Sequence, residues 1–217
     1  MGVSGIRLDG SSRIEGIPVL GKGCVGVVTQ AVVEGELVAL KIRRLDADRP
    51  SMVEEARLLR LANAVDVGPR LIGATRNFIV MKLFRGLPLF RWAENMYPGK
   101  TMVKSAMADL LGACFRLDAV GLDHGELSHA PRNVLVDKVG RPCIVDFESA
   151  STVRRVANVT SLLQYFLFGS ISKSLHTSNM VASRRKIVKA LGAYKREGSV
   201  ESFQFVLRVL RLNESLL

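Results

Sequence analysis

Glu126, Asn133 and Asp146 fall within residues 124–148, which read H-G-E-L-S-H-A-P-R-N-V-L-V-D-K-V-G-R-P-C-I-V-D-F-E. Two carboxylates and an amide are hard oxygen donors, the kind that hold Mg2+ together with water and phosphate oxygens. The same stretch supplies a means of gathering them. Residues 134–137 and 142–145 are short apolar runs separated by Lys-Val-Gly-Arg, which predicts a β-hairpin. Asn133 precedes the first strand and Asp146 follows the second, so pairing brings both to one edge, with His124 and Glu126 on the loop leading in. Taken alone, these residues also read as a surface hairpin flanked by capping side chains. Residues upstream tip the balance.

Gly21, Gly23, Gly26 and Val28 spell G-x-G-x-x-G-x-V. In a dinucleotide-binding fold such a run follows a strand and opens a helix. Here it leads into β-branched residues, a Glu34-Gly35 turn and the apolar run 37–42, so the glycines are expected in a strand–turn–strand. That disfavours a Rossmann reading, and a Walker loop would need G-K-[ST]. It fits a glycine flap lying over nucleotide phosphates, where missing side chains let backbone N–H groups approach an anion. The next strand carries Lys41 in V-A-L-K. A lysine inside an apolar strand is costly unless its ammonium reaches water or a partner. It is either an edge-strand lysine or a phosphate-binding one, and its place after the glycine hairpin favours the second. A helix is expected over 50–63, with Glu54 and Glu55 in its first turns. Each suits a surface position near the helix dipole, and one of them can instead turn inward to pair with Lys41. Residues 78–84 read as a strand and 85–88 as a connector.

In this order, the glycine flap, V-A-L-K, a helix with Glu, H-G-E with its Asn and D-F-E resemble the protein-kinase signature set. The likeness is nearest to the small atypical kinases: the RIO kinases, the kinase subunit of the KEOPS tRNA-modifying complex, and compact archaeal serine/threonine kinase-like proteins. It spans about residues 16–150. The resemblance implies an α+β, bilobal, kinase-like fold, with a β-rich N-lobe carrying one helix over 1–84 and a short, mainly helical C-lobe over 85–217. It implies a serine/threonine kinase using ATP and Mg2+ (or Mn2+), with a protein favoured as phosphoacceptor. Lys41 would hold the phosphates, steadied by Glu55. Gly21, Gly23, Gly26, Val28 and Ala39 would surround the nucleotide, and Met81 and Leu83 fall where the family's hinge backbone holds adenine. Asn133 and Asp146 would bind metal, and Glu126 would orient or deprotonate the acceptor hydroxyl. His124 is expected to pack on the Phe of the metal motif and bond the loop backbone, and Asp123 is the reserve base.

The chain departs from the family pattern twice. Glu126 stands where the family has Asp, and six residues rather than four separate it from Asn133. A glutamate's extra methylene moves its carboxylate by about an ångström, a misplacement that can change a rate about a hundredfold. D-F-G becomes Asp146-Phe147-Glu148. These departures keep a second reading open, a catalytically weak nucleotide-binding or ATP-hydrolysing switch within a complex.

The elements that must position these residues complete the reading. An apolar-striped helix is expected over 104–120, ending at Gly121, and three more over 159–168, 181–194 and 200–212. A chain of 217 residues, 48% hydrophobic, can bury a core in one bilobed unit or two small domains. Its formal charge is +11, and residues 151–217 hold eleven Lys/Arg against three Glu, a net +8. Arg184, Arg185, Lys186, Lys189, Lys195 and Arg196 fall around one helix. They are either a solvated face or a footprint for RNA or an acidic protein partner, and an RNA- or ribosome-associated module is the third reading. Three scattered cysteines exclude a disulfide framework or zinc cluster and fit a reducing cytosol. No signal-peptide pattern opens the sequence, position 6 lacks the Ser or Thr of a myristoylation site, and the most apolar segment, 161–171, is short of a membrane span. A cytoplasmic protein with no membrane partner is expected.

Overall fold

Short runs rich in β-branched residues dominate the first part of the chain and pair into one antiparallel sheet. The computed structural model describes residues 2–96, 98–168 and 184–212. The fold is mixed α+β. It divides into two compact units, Met1–Ala64 with Gly68–Phe84, and Val65–Val67 with Arg85–Leu217. The first unit contains β1 (Val3–Arg7), β2 (Ser12–Ile14), β3 (Ile17–Val19), β4 (Gly21–Lys22), β5 (Gly26–Val33), β6 (Glu36–Arg43), α1 (Val53–Asn63), β7 (Leu71–Ala74) and β8 (Phe78–Lys82).

The main sheet has the order β1-β5-β6-β8-β7, with β4 also on β5, and β2 and β3 form a separate hairpin. Between β5 and β6 the turn residues Glu34 and Gly35 both have left-handed φ, 52° and 84°. Two such residues match the twist of a two-residue hairpin, and they fix Val33 opposite Glu36 and Val28 opposite Lys41. Alternation then sends Ala31, Val33, Val38, Leu40 and Val80 into one apolar cluster, with Ile42 packed on it.

Ser51 Oγ accepts the Val53 N–H at 3.1 Å, one of the donors a helix start leaves unsatisfied. In α1, Ala56, Leu58, Leu59 and Ala62 are buried. Burying one such leucine contributes roughly 2 kcal/mol, enough to hold an 11-residue helix that would be marginal alone. Its last residue, Asn63, accepts the Leu71 N–H (2.7 Å) and donates to the Pro69 carbonyl (3.1 Å), tying the helix end to β7.

The second unit contains β9 (Leu87–Pro88), α2 (Leu89–Met96), α3 (Lys100–Ala119), α4 (Ala130–Asn133), β10 (Val134–Val136), β11 (Pro142–Ile144), α5 (Asn158–Phe168), α6 (Arg184–Glu197) and α7 (Val200–Val209). β10 lies between β9 and β11. In the β10–β11 turn, Asp137 Oδ1 accepts the Val139 and Arg141 N–H groups and Oδ2 accepts Arg141 Nε. α2 has no counterpart in the sequence reading, although Leu89, Trp92 and Ala93 fall at helical spacing and are buried. α3 starts at Lys100 rather than 104. α6 runs on to Glu197 because the chain turns only at Gly198 (φ 61°), whose N–H bonds the Tyr194 carbonyl. Residues 181–183 of that expected helix lie outside the described residues. α7 stops at Val209 instead of 212: Arg211 takes φ 56°, and Leu212 N–H returns to the Leu207 carbonyl in a left-handed cap. No helix among the described residues is long and apolar enough to cross a membrane.

Candidate functional site

In the first unit, β6 is a central strand, paired with β5 on one side and β8 on the other. Lys41 is therefore not an edge lysine. It is 2% exposed and its Nζ donates to Glu55 Oε1 at 2.7 Å, with Glu55 itself 5% exposed. Glu54, the other glutamate of that turn, faces outward and pairs with Arg57. A buried ion pair gives little stability, since well-packed apolar residues often do as well or better by about 1–4 kcal/mol. Its charges therefore suggest a use other than holding the sheet together.

Gly26 serves this lysine sterically. A Cβ on Gly26 would lie 2.9 Å from Lys41 Cε and 3.0 Å from Lys41 Cγ, so only glycine leaves room for the stem. Gly23 N–H bonds the Gly26 carbonyl at 2.8 Å and closes the turn between β4 and β5. Gly21 pairs with Val28, which pairs in turn with Lys41. Ala39 sits in the ladder beside Met81, and Leu83, just beyond β8, is half-buried.

In the second unit, Val134 pairs with Ile144, and Val145 N–H bonds the Asn133 carbonyl at 2.9 Å. The hairpin thus sets Asn133 beside the residue preceding Asp146. Asn133 is buried, and its Nδ2 donates to Glu126 Oε2 (3.1 Å) and to the Glu126 carbonyl (3.3 Å). The longer spacing between acid and amide does not separate them, because a 3-10 turn (Leu127–His129) and α4 take up the added length. The other Glu126 oxygen accepts from Ser149 Oγ. Asp146 takes φ 67° and ψ 77°, rare for a residue with a side chain, and opens the 3-10 turn Phe147–Ser149.

These donors fit a hard cation. The Asn133 amide nitrogen is spent on Glu126, which turns Oδ1 into its donor atom, and Asp146 adds a carboxylate. Among the described residues no three or more His, Cys, Asp or Glu are gathered as for a metal. Mg2+ carried by one or two protein oxygens, water and substrate phosphates needs no such group.

His124 is fully buried, its Nε2 lies 3.0 Å from the Val145 carbonyl, and its ring meets Phe147 edge-on at 5.0 Å. Its backbone N–H donates to Asn158 Oδ1 (2.8 Å), and Asn158 Nδ2 donates to the Leu122 carbonyl and to Asp118. Asp118 also accepts from Tyr194 OH at 2.8 Å, and burial pushes its pKa up against these hydrogen bonds. Asp123, the reserve base, is committed elsewhere. Its carboxylate accepts from Arg154 Nε and from the Ala157 N–H.

Burial lowers the His124 pKa from its ordinary 6.5, against the opposing pull of the Val145 carbonyl, Asp146, Glu126 and Asp123. Below that value the unfolded chain binds a proton that the folded chain resists, so stability present above pH 6.5 is lost as pH falls through this window. The denaturation midpoint should drop on acidification from there, and His124→Asn should lack that slope. An equal slope in the variant would assign the effect to other groups.

No protein-family model matches the chain, and no curated protein matches it. The kinase resemblance stands on the motif residues alone.

Asp118, Ser149, Arg154 and Asn158 were not singled out by sequence reasoning. Asp118 had a faint signal, since it falls on the buried stripe of α3 four residues after Cys114. Arg154 had none, being brought to Asp123 across 31 residues. On α6, Arg185, Lys186, Lys189, Lys195 and Arg196 are exposed, while Ile187, Ala190 and Tyr194 are buried. The Arg184 side chain lies outside the described residues.

Proposed function

We propose that the chain is an ATP- and Mg2+-dependent phosphotransferase of the small atypical protein-kinase type, its two units serving as the β-rich and helical lobes of that bilobal fold. The observation that carries this reading is the Lys41–Glu55 pair, buried on a central strand with Gly26 making room for the lysine. Lys41 neutralises phosphate charge, and Glu55 keeps its ammonium in place. Asn133 and Asp146 hold the metal, which when bound supplies charge neutralisation on the phosphates. Glu126 receives the proton of the acceptor hydroxyl. Thermal shift with ATP, with and without Mg2+, tests nucleotide binding, and labelled-phosphate transfer to a protein acceptor tests the reaction.

A second reading is a nucleotide-hydrolysing switch, favoured by the prior engagement of both Glu126 oxygens with Asn133 and Ser149. Release of labelled phosphate to water, with none on protein, would select it.

The exposed cations of α6 support an RNA or acidic protein partner. If RNA binds there, affinity should fall steeply with salt as counterions are released. Arg184→Glu, Arg185→Glu and Lys186→Glu together should abolish it without changing Mg·ATP affinity. No RNA binding at low salt would leave the helix an ordinary solvated face.

A further inference from the structure

Ser149 is half-buried, and its hydroxyl donates to Glu126 Oε1. A carboxylate only accepts, so the proton points from serine to glutamate. That is the arrangement of a nucleophile with the base that activates it. Glu126 is aimed, because its other oxygen is fixed by Asn133 Nδ2. Ser149 also stands one 3-10 turn after Asp146, which opens that turn. A cation is already present at the same residue: Arg154 Nη2 donates to the Ser149 carbonyl at 2.9 Å.

Resting on the phosphotransferase reading above, we infer that Ser149 is itself a phosphoacceptor, and that the chain phosphorylates itself there. Ser149 Oγ bonds the γ-phosphorus of ATP, and the bond from that phosphorus to the β,γ-bridging oxygen breaks. ADP leaves with those electrons, and the hydroxyl proton passes to Glu126. Phosphoserine brings nearly two negative charges, which the Arg154 guanidinium is placed to meet. The product removes the hydroxyl from Glu126 and sets a dianion beside that carboxylate, so the reaction runs once per chain.

The test is incubation of the full chain with Mg·ATP, followed by trypsin digestion and fragment-ion mass spectrometry of the peptide 139–154. That peptide also holds Ser151 and Thr152, so the fragments must place the phosphate. Label on Ser149, gained at a rate per molecule that does not change with protein concentration, is the expected result. Ser149→Thr should carry the label at position 149, and Ser149→Ala should lose it to background. Label on Ser151 or Thr152 instead, or a rate rising with protein concentration, overturns self-transfer to Ser149. So does a Mg·ATP thermal shift or ADP formation with position 149 unmodified, and in that case the phosphotransferase reading survives. Absence of both shift and ADP overturns the two together.

Discussion

Replacing Lys41 by methionine should abolish phosphate transfer, remove most of the Mg·ATP thermal shift, and lower stability by about 3–5 kcal/mol. The three effects share one origin. Lys41 and Glu55 are buried together at 2.7 Å on a central strand and its adjoining helix. Methionine keeps the length of the stem but takes away the cation, leaving the buried Glu55 carboxylate without its lysine. The stability loss and the functional loss can be separated. In the double variant Lys41→Met/Glu55→Leu an apolar pair replaces the ion pair, a change that is often neutral or stabilising. Its urea midpoint should recover towards wild type, whereas nucleotide binding should not. Wild-type transfer by Lys41→Met would remove the kinase-type site from consideration.

Glu126 and Asp146 should fail in different ways. Asp146→Asn should weaken metal-dependent nucleotide binding and turnover together. Glu126→Gln retains the shape and one acceptor oxygen, so a contact to Asn133 or to Ser149 persists while the basicity goes. Mg·ATP affinity should then be nearly unchanged, and turnover should fall by roughly a hundred- to ten-thousand-fold. The fall is smaller if the acceptor proton leaves late in a loose transition state. Glu126→Asp installs the acid of the resembled kinase pattern within the longer loop and shows whether reach or basicity matters. Should both Glu126 variants turn over at the wild-type rate, Glu126 is not the base. Asp123 cannot easily stand in, because Arg154 and Ala157 already hold both of its oxygens.

The strand–turn–strand around Gly21, Gly23 and Gly26 and the hairpin after Asn133 were legible because each is local. Period-two alternation and turn residues specify them within a few positions. Periodicity alone did not choose between Glu54 and Glu55, since adjacent helical residues differ by a rotation that packing fixes; the kinase resemblance named Glu55, the one that is buried against Lys41. α2 was missed although Leu89, Trp92 and Ala93 mark an apolar face, because an eight-residue run between two prolines gives periodicity little length to register. Six residues in place of four between Glu126 and Asn133 left their meeting open. Counting residues could not reveal that a 3-10 turn and α4 would close the gap. Ser149 and Arg154 depend on closures across 23 and 31 residues, beyond the reach of any local pattern.

Gly125 limits what this loop can carry at its tightest point. Its φ is 88°, and a Cβ there would lie 2.3 Å from Arg154 Nη2 and 2.8 Å from the Ser149 carbonyl. The resembled signature is spelled H-R-D or H-G-D, and here Arg154 fills the space that an arginine side chain at 125 would need. Gly125→Arg alone must evict Arg154, and loss of Arg154 alone strips its cation from the buried Asp123. Removing Arg154 as well does not free the position, because the left-handed φ and the Ser149 carbonyl remain. A side chain at 125 therefore requires the loop backbone itself to change course, and the loss of Arg154 alone does not make that room.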